Sequence, residues 1–333
     1  ERDYFKGKKD TLEYISLGKV EHGNYIKRIF SLFKAFLLIK RGMINKIPNV
    51  LYAFNVDIAF IAVLLKIYCK CECQVVYECG DIQPLMLKSK LARLLERWVI
   101  NRCRIVVTTS EGFISNYFKK IQNVNMEKLF LIENKLNEPL KKHIYKELSN
   151  GKITIGYFGL LSYTNTWELL LKLVNMFPEK FNIYVRGYPG GISSTVLKKY
   201  ISNSNIIYDG PYIQPDDLPD MHSKIDLIWS AYVDYDQYKN YNLKWAMRNQ
   251  FYESCFFNTP MIVQEGTQPE KYVKEYDLGL VIDMLNIEKT LEKMQNITVE
   301  DIKRWRHNFK KISEEFSIYT NEHEKLAKLL NLL

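Results

Sequence analysis

The chain has 333 residues, of which 47% are hydrophobic and 26% charged, which excludes a disordered chain or a disulfide-stapled miniprotein and is enough for two ordinary domains, each with its own core. The formal charge of +9 is not spread evenly: residues 1–150 carry 26 Lys and Arg against 15 Asp and Glu, a net of +11, whereas residues 151–333 carry 21 against 23, a net of −2. One basic half joined to a near-neutral half argues against a nucleic-acid coat, for which there is also no RNA-binding signature or zinc-finger spacing, and assigns any anionic partner to the first half.

Residues 25–41 combine a broad apolar face with Lys27, Arg28, Lys34, Lys40 and Arg41 and no acid. Such a helix either covers a sheet or lies on an anionic membrane surface. Asn49 to Phe54 reads as a buried strand ending at Asn55, and Asp57 opens an apolar helix to about Ile67. The run Val50 to Leu65 is interrupted by Asn55 and Asp57 and is too short and polar to span a bilayer. Cys69, Cys71 and Cys73 crowd too closely for ordinary structural zinc and read as a turn of free thiols in a reducing compartment. Gln74 to Glu78 is the next strand. A helix from about Lys88 to Asn101 carries Leu91, Leu94, Leu95, Trp98 and Val99 on one stripe. Arg104 to Thr109 is a strand, Ser110 caps a helix from Glu111 to Lys120, and Leu129 to Ile132 closes the half. No first strand with a Gly-rich turn is read before residue 10, and no signal peptide is read.

Residues 134–152, rich in Lys and Asn and ending in Ser149-Asn-Gly151, form a linker. Strands follow at Ile153 to Phe158, Asn182 to Val185, Asn205 to Tyr208, Asp226 to Trp229, Pro260 to Val263 and Leu278 to Ile282, with a helix from about Asn165 to Met176 and an amphipathic tail from Val299. The fold class is therefore α/β with two parallel-sheet, Rossmann-like domains facing a cleft: 1–145, lacking its first βα unit, then 150–300, with helices 301–333 packing back on the first domain. Ligands of such sheets bind at the carboxyl ends of the strands. Gly187-x-x-Gly190-Gly191 has no Gly-Lys-Ser/Thr and is not a P-loop, and the five histidines lack ligand spacing, so no metal site is expected.

The segment Asn242-Leu-Lys-Trp-Ala-Met-Arg-Asn-Gln-Phe-Tyr-Glu-Ser254, with Asn258-Thr-Pro-Met-Ile-Val263 after it, resembles the donor-binding segment of GT-B glycosyltransferases, in particular the large retaining family that builds bacterial surface polysaccharides. The resemblance extends to Ile155-Gly-Tyr-Phe-Gly-Leu160, to Tyr208-Asp-Gly-Pro-Tyr212, to Leu218 through Trp229, and to Val106 through Phe113. It implies that Glu253 accepts hydrogen bonds from the donor ribose, that Lys244 or Arg248 neutralises the diphosphate, and that Gly159 and Leu160 bring backbone N–H groups to phosphate. Tyr212 then lies by the nucleobase, and Asn242 and Asn249 belong to the same donor segment. Tyr77-Glu-Cys-Gly-Asp81 is similar to the family's cleft segment, which makes Asp81 the acceptor base, with Glu78 the weaker choice. Asn55, Lys27, Arg28 and Lys34 would face the acceptor or membrane. The expected enzyme is a retaining, metal-independent hexosyltransferase, with no cofactor beyond its nucleotide-sugar co-substrate, acting on a lipid-linked or oligosaccharide acceptor in the cytoplasm at the inner face of the plasma membrane. Departures from the pattern leave two other readings open: Trp245 stands where a second glutamate is usual, Arg248 replaces a proline, and Gln250 replaces a cation. The alternatives are a degenerate subunit that binds a partner and a sugar-nucleotide epimerase on the same scaffold.

Overall fold

The computed structural model describes residues 25–45, 47–137, 151–190, 192–312 and 314–332. It divides into two compact units, residues 1–79 with 94–106, and residues 80–93 with 107–333.

The first unit opens on helix α1, Tyr25–Asn45, which packs Ala35 and Met43 inward and sets Phe36 edge-on to Tyr68. Strand β1, Val50–Phe54, leads into α2, Val56–Tyr68, and β2, Gln74–Cys79, runs parallel to β1 with Val50 beside Gln74 and Phe54 beside Glu78. The apolar runs of β2 and α2 supply the core, with Val75, Val76, Ala59 and Val63 fully enclosed. The turn between them ends in a buried cluster in which the Cys71 and Cys73 thiols lie 2.6 Å apart, and burial pushes the Cys73 thiol up to about 12. Helix α3, Pro84–Lys88, and helix α4, Lys90–Arg102, precede β3, Ile105–Thr108. The stripe is split: Leu91 is 76% exposed, with Leu94 and Leu95 also at the surface, and the buried arc is Glu96, Val99 and Ile100. The rotation is fixed by the Tyr77 hydroxyl, which donates to Glu96 at 2.9 Å inside the core, and by Trp98 resting on Phe60.

In the second unit Ser110 caps as expected, its hydroxyl accepting from Gly112 N, but the helix is a single turn, α5, Glu111–Phe113, that widens into a π-helix, Ile114–Lys119. Strand β4, Leu129–Leu131, completes the first sheet in the order β1-β2-β3-β4. The segment 138–150, within the expected linker, lies outside the described residues.

The second sheet is built from β5, Ile153–Leu160, α6, Thr164–Met176, β6, Phe181–Tyr188, α7, Ser194–Ile201, β7, Ile206–Tyr208, α8, Leu218–Ser223, β8, Leu227–Ser230, α9, Gln237–Trp245, α10, Asn249–Phe257, β9, Met261–Gln264, α11, Gln268–Tyr276, and β10, Gly279–Ile282. Its order is β10-β9-β8-β5-β6-β7, and every pair is parallel. Both faces are covered, so alternate residues enter opposite cores: Tyr157 joins Trp167 and Trp229, and Phe158 joins Phe251 and Tyr252. Asp226 locks the lower edge, accepting from Thr154 N and from Arg306 Nη2, both at 2.9 Å. Helices α12, Ile287–Gln295, α13, Val299–Asn308, and α14, Glu322–Leu329, finish the chain. The tail returns onto residues 133–136, where Leu136 N donates to Ser317 O and Lys135 Nζ lies 2.7 Å from Glu322 Oε1.

Candidate active site

Strand order reverses between β5 and β8, and in an open parallel sheet the crevice at the carboxyl ends of such a pair is where ligands sit. Here those ends are Gly159 and Leu160 on β5 and Ser230 on β8. Gly159 has φ +108, a region glycine enters without strain, and lies in register with Gly187 of β6. A Cβ on Gly187 would stand 1.9 Å from Gly159 O, so the two glycines let both backbones reach the rim side by side. Leu160, half exposed, is the last residue of β5.

The donor-like segment is two helices with a break at 246–248. Arg248 is extended, with φ −78 and ψ 148, and begins α10. Its guanidinium stacks over the Tyr232 ring at 4.5 Å. Nη2 is buried and makes no hydrogen bond among the described residues, and Arg248 lines a narrow crevice with Ser230, Tyr232, Leu243, Thr267 and Pro269. A buried donor without a partner is costly, and an acceptor brought by a ligand would remove that cost. Gln250 Nε2 donates to Phe158 O at 3.2 Å, next to Gly159.

Five residues into α10, Glu253 is only 3% exposed, unlike a solvated helix glutamate, and Gln214 Nε2 donates to its Oε1 at 3.0 Å. Tyr212 is close enough that, after burial, the Glu253 carboxylate is the largest influence raising its phenol. Burial likewise raises the Tyr232 phenol, against the pull of the Arg248 cation. Tyr212, Tyr232, Arg248 and Glu253 therefore form one group. Lys244 and Asn249 are exposed beside it, on the last turn of α9 and the first residue of α10.

Asn242 is engaged elsewhere. Its amide Nδ2 donates to Asp81 Oδ1 at 2.8 Å, and its Oδ1 accepts from Ile82 N at 2.9 Å. Lys88 reaches Asp236 Oδ2 at 3.2 Å, and Ser110 Oγ donates to Trp245 O at 2.6 Å. The loop after β2 is thus tied to α9, and Asp81 is held exposed at its tip. In the first unit Asn55, at φ 68, donates its N–H to Glu78 O at 2.8 Å, so these two lie together at a strand end. Lys34 lies on α1; the side chains of Lys27 and Arg28 lie outside the described residues.

Gln214, His222, Tyr232 and Ser230 belong to this neighbourhood without any mark in the sequence; only the sheet order brings them to Glu253 and Arg248. Among the described residues no three His, Cys, Asp or Glu converge as a metal site would require, and no helix is long and apolar enough to cross a membrane.

Residues 172–320 match the family described as the C-terminal domain of glucosyltransferase-3-like proteins. The fold is that of GT-B enzymes. A sucrose-phosphate synthase from Thermosynechococcus elongatus superposes with a TM-score of 0.71 at 12% identity, over 95% of this chain and 81% of that one. The Anabaena protein HepE, solved in complex with UDP, superposes with a TM-score of 0.65 at 14% identity, over 91% and 82%. The chain therefore has the GT-B fold, and part of it matches a glucosyltransferase-like domain. Among curated proteins it is similar to the succinoglycan biosynthesis protein ExoL of Rhizobium meliloti, 26% identical over 293 residues, which are 84% of this chain and 72% of that protein.

Proposed function

We propose that the protein moves a hexose from a nucleoside-diphosphate sugar to a lipid-linked glycan acceptor, with retention of configuration and without a metal ion, at the cytoplasmic face of the plasma membrane. The observation that carries the reading is the pairing, at the strand-order reversal, of a buried carboxylate, Glu253, with a cation, Arg248, whose inner N–H has no partner among the described residues. Glu253 takes the ribose hydroxyls, Tyr212 flanks the base, and Arg248 with the backbone after Gly159 takes the diphosphate. HepE, solved with UDP and with UDP-glucose, has the same fold and supports a donor of this kind.

In the reaction the acceptor hydroxyl oxygen forms the new bond to the anomeric carbon on the face from which the diphosphate oxygen departs. Asp81 orients that hydroxyl and receives its proton. Negative charge grows on the leaving diphosphate, and Arg248 stabilises it more in the transition state than in the bound donor, which is what lowers a barrier.

The basic first half supplies the membrane side. On α1, Phe30 and Phe33 are 65% and 60% exposed, with Leu37 and Leu38 beside them, and Lys34 and Arg41 on the same helix. Apolar area with positive charge and no acid suits an anionic lipid surface. The deciding experiment is isothermal titration with UDP, GDP and ADP, followed by mass spectrometry of products from a panel of nucleotide sugars and a polyprenyl-pyrophosphate acceptor. Binding and a hexose mass increment are expected; failure to bind any nucleoside diphosphate refutes the reading, and consumption of the nucleotide sugar without acceptor converts it to an epimerase.

A further inference from the structure

The Glu253 carboxylate is approached at both oxygens. Gln214 donates to Oε1, and His222 Nε2 stands 3.9 Å from Oε2. The imidazole is itself fixed: it is fully buried, Phe257 stacks on it at 4.4 Å, the Phe158 ring meets it edge-on at 5.9 Å, and its Nδ1 lies 2.9 Å from the Thr259 hydroxyl. The Thr259 hydroxyl can donate to Nδ1 or accept from it, and the other ring nitrogen, Nε2, is the one that faces Glu253. A phenyl ring would fill the same slot but would leave the buried Thr259 hydroxyl without its imidazole partner. An ionised carboxylate offers about four lone-pair sites. Gln214 takes one of them on Oε1, and the buried imidazole stands against Oε2 without a hydrogen bond to it, which leaves sites on both oxygens for two neighbouring hydroxyls.

We propose that His222 is a positioning residue for nucleotide selection: packed 3.9 Å from Oε2, it restricts the orientation in which the Glu253 carboxylate meets the 2′ and 3′ hydroxyls, and so sets the preference for ribo- over 2′-deoxyribonucleotides. The proposal rests on Glu253 as the ribose acceptor.

The test is titration of the full chain with UDP, GDP and ADP and with their 2′-deoxy counterparts. The wild type should prefer the ribo form of its best ligand by about tenfold or more, the worth of one hydrogen bond to a charged group. His222→Phe, which keeps the stack on Phe257, should bring that preference down by roughly threefold or more toward unity while leaving the affinity for the 2′-deoxy ligand unchanged. His222→Gln, which returns a polar group at that position, should restore much of it. Thr259→Val, a milder change that frees the imidazole without removing it, should lower the preference in the same direction and keeps the test open should the phenylalanine variant not fold. Equal losses for ribo and deoxy ligands, or an unaltered preference in folded His222 and Thr259 variants, overturn the proposal while Glu253→Ala still abolishes the preference. If Glu253→Ala leaves the preference intact, or no nucleoside diphosphate binds the wild type, the Glu253 reading falls and this one with it.

Discussion

Arg248→Ala separates a binding-site cation from a structural one, because the two roles give opposite signs for stability. In the free protein the guanidinium gains a stack on Tyr232 at 4.5 Å, worth about 0.5–1 kcal/mol. Against this stands a buried Nη2 with no hydrogen-bond partner among the described residues, a desolvation cost of about 1–3 kcal/mol. Removing the side chain should leave the ligand-free fold between unchanged and about 2 kcal/mol more stable, a Tm equal to the wild type or a few degrees higher. The same change should lower kcat/KM by about a hundredfold or more, the usual effect of deleting one charge-stabilising group from a transition state. Arg248→Lys, which keeps the charge but loses the planar stack, should fall between. Differential scanning calorimetry of the ligand-free protein and steady-state kinetics with the best donor measure the two quantities on one preparation. A clear drop in ligand-free Tm together with unchanged kcat/KM would refute the reasoning and make Arg248 a structural residue.

Gly187→Ala should cost about 3 kcal/mol or more, since the new Cβ meets the backbone oxygen of Gly159 at 1.9 Å and β5 and β6 must part at the rim. Gly210→Ala, whose Cβ enters open space at φ +70, is the control and should cost about 1–2 kcal/mol by chemical denaturation. Asn242→Ala removes the amide that donates to Asp81 and should lower kcat by roughly tenfold with nucleotide affinity kept, one hydrogen bond to a charged group being worth that much; a loss of nucleotide affinity with kcat intact would return Asn242 to the donor side. Burial alone would raise the Glu322 carboxyl, but hydrogen bonds from Lys135 and from backbone N–H groups outweigh it and hold it at about 2. A depressed acid stabilises the fold above its unfolded value near 4.5 and loses that stabilisation as pH falls toward 2. Glu322→Gln should therefore cost about 1 kcal/mol at pH 7 after solvent screening and nothing near pH 2, as urea melts at the two pH values will show.

The strands were legible because strands buried on both faces read as unbroken apolar runs: Ile153 to Phe158 and Gln74 to Glu78 appear within a residue or two of the expected bounds. Helical spacing, by contrast, locates a stripe without saying that it faces inward. In α4 the leucines point out because Glu96, the one acid on the helix, is drawn into the core by the Tyr77 hydroxyl across 19 residues, a pairing with no local signature. The break between α9 and α10 was likewise invisible, since 246–248 holds neither Gly nor Pro. Glu253 and Arg248 could be found from their segment; Gln214 and Tyr232 could not, because they meet Glu253 and Arg248 only through the non-sequential order β8-β5-β6. Asn242 and Asp81, 161 residues apart, are a pair that one sequence cannot reveal.

The ties between the loop at 80–88 and α9 bear on how relatives of this enzyme can be recombined. A chimera that takes residues up to 137 from one parent and those from 151 on from another would import a loop whose Asp81, Ile82 and Lys88 pair with Asn242 and Asp236 of the original parent. Grafting residues 80–93 and 236–245 together would carry the matched set, and shuffled libraries should retain activity where these two segments share a parent.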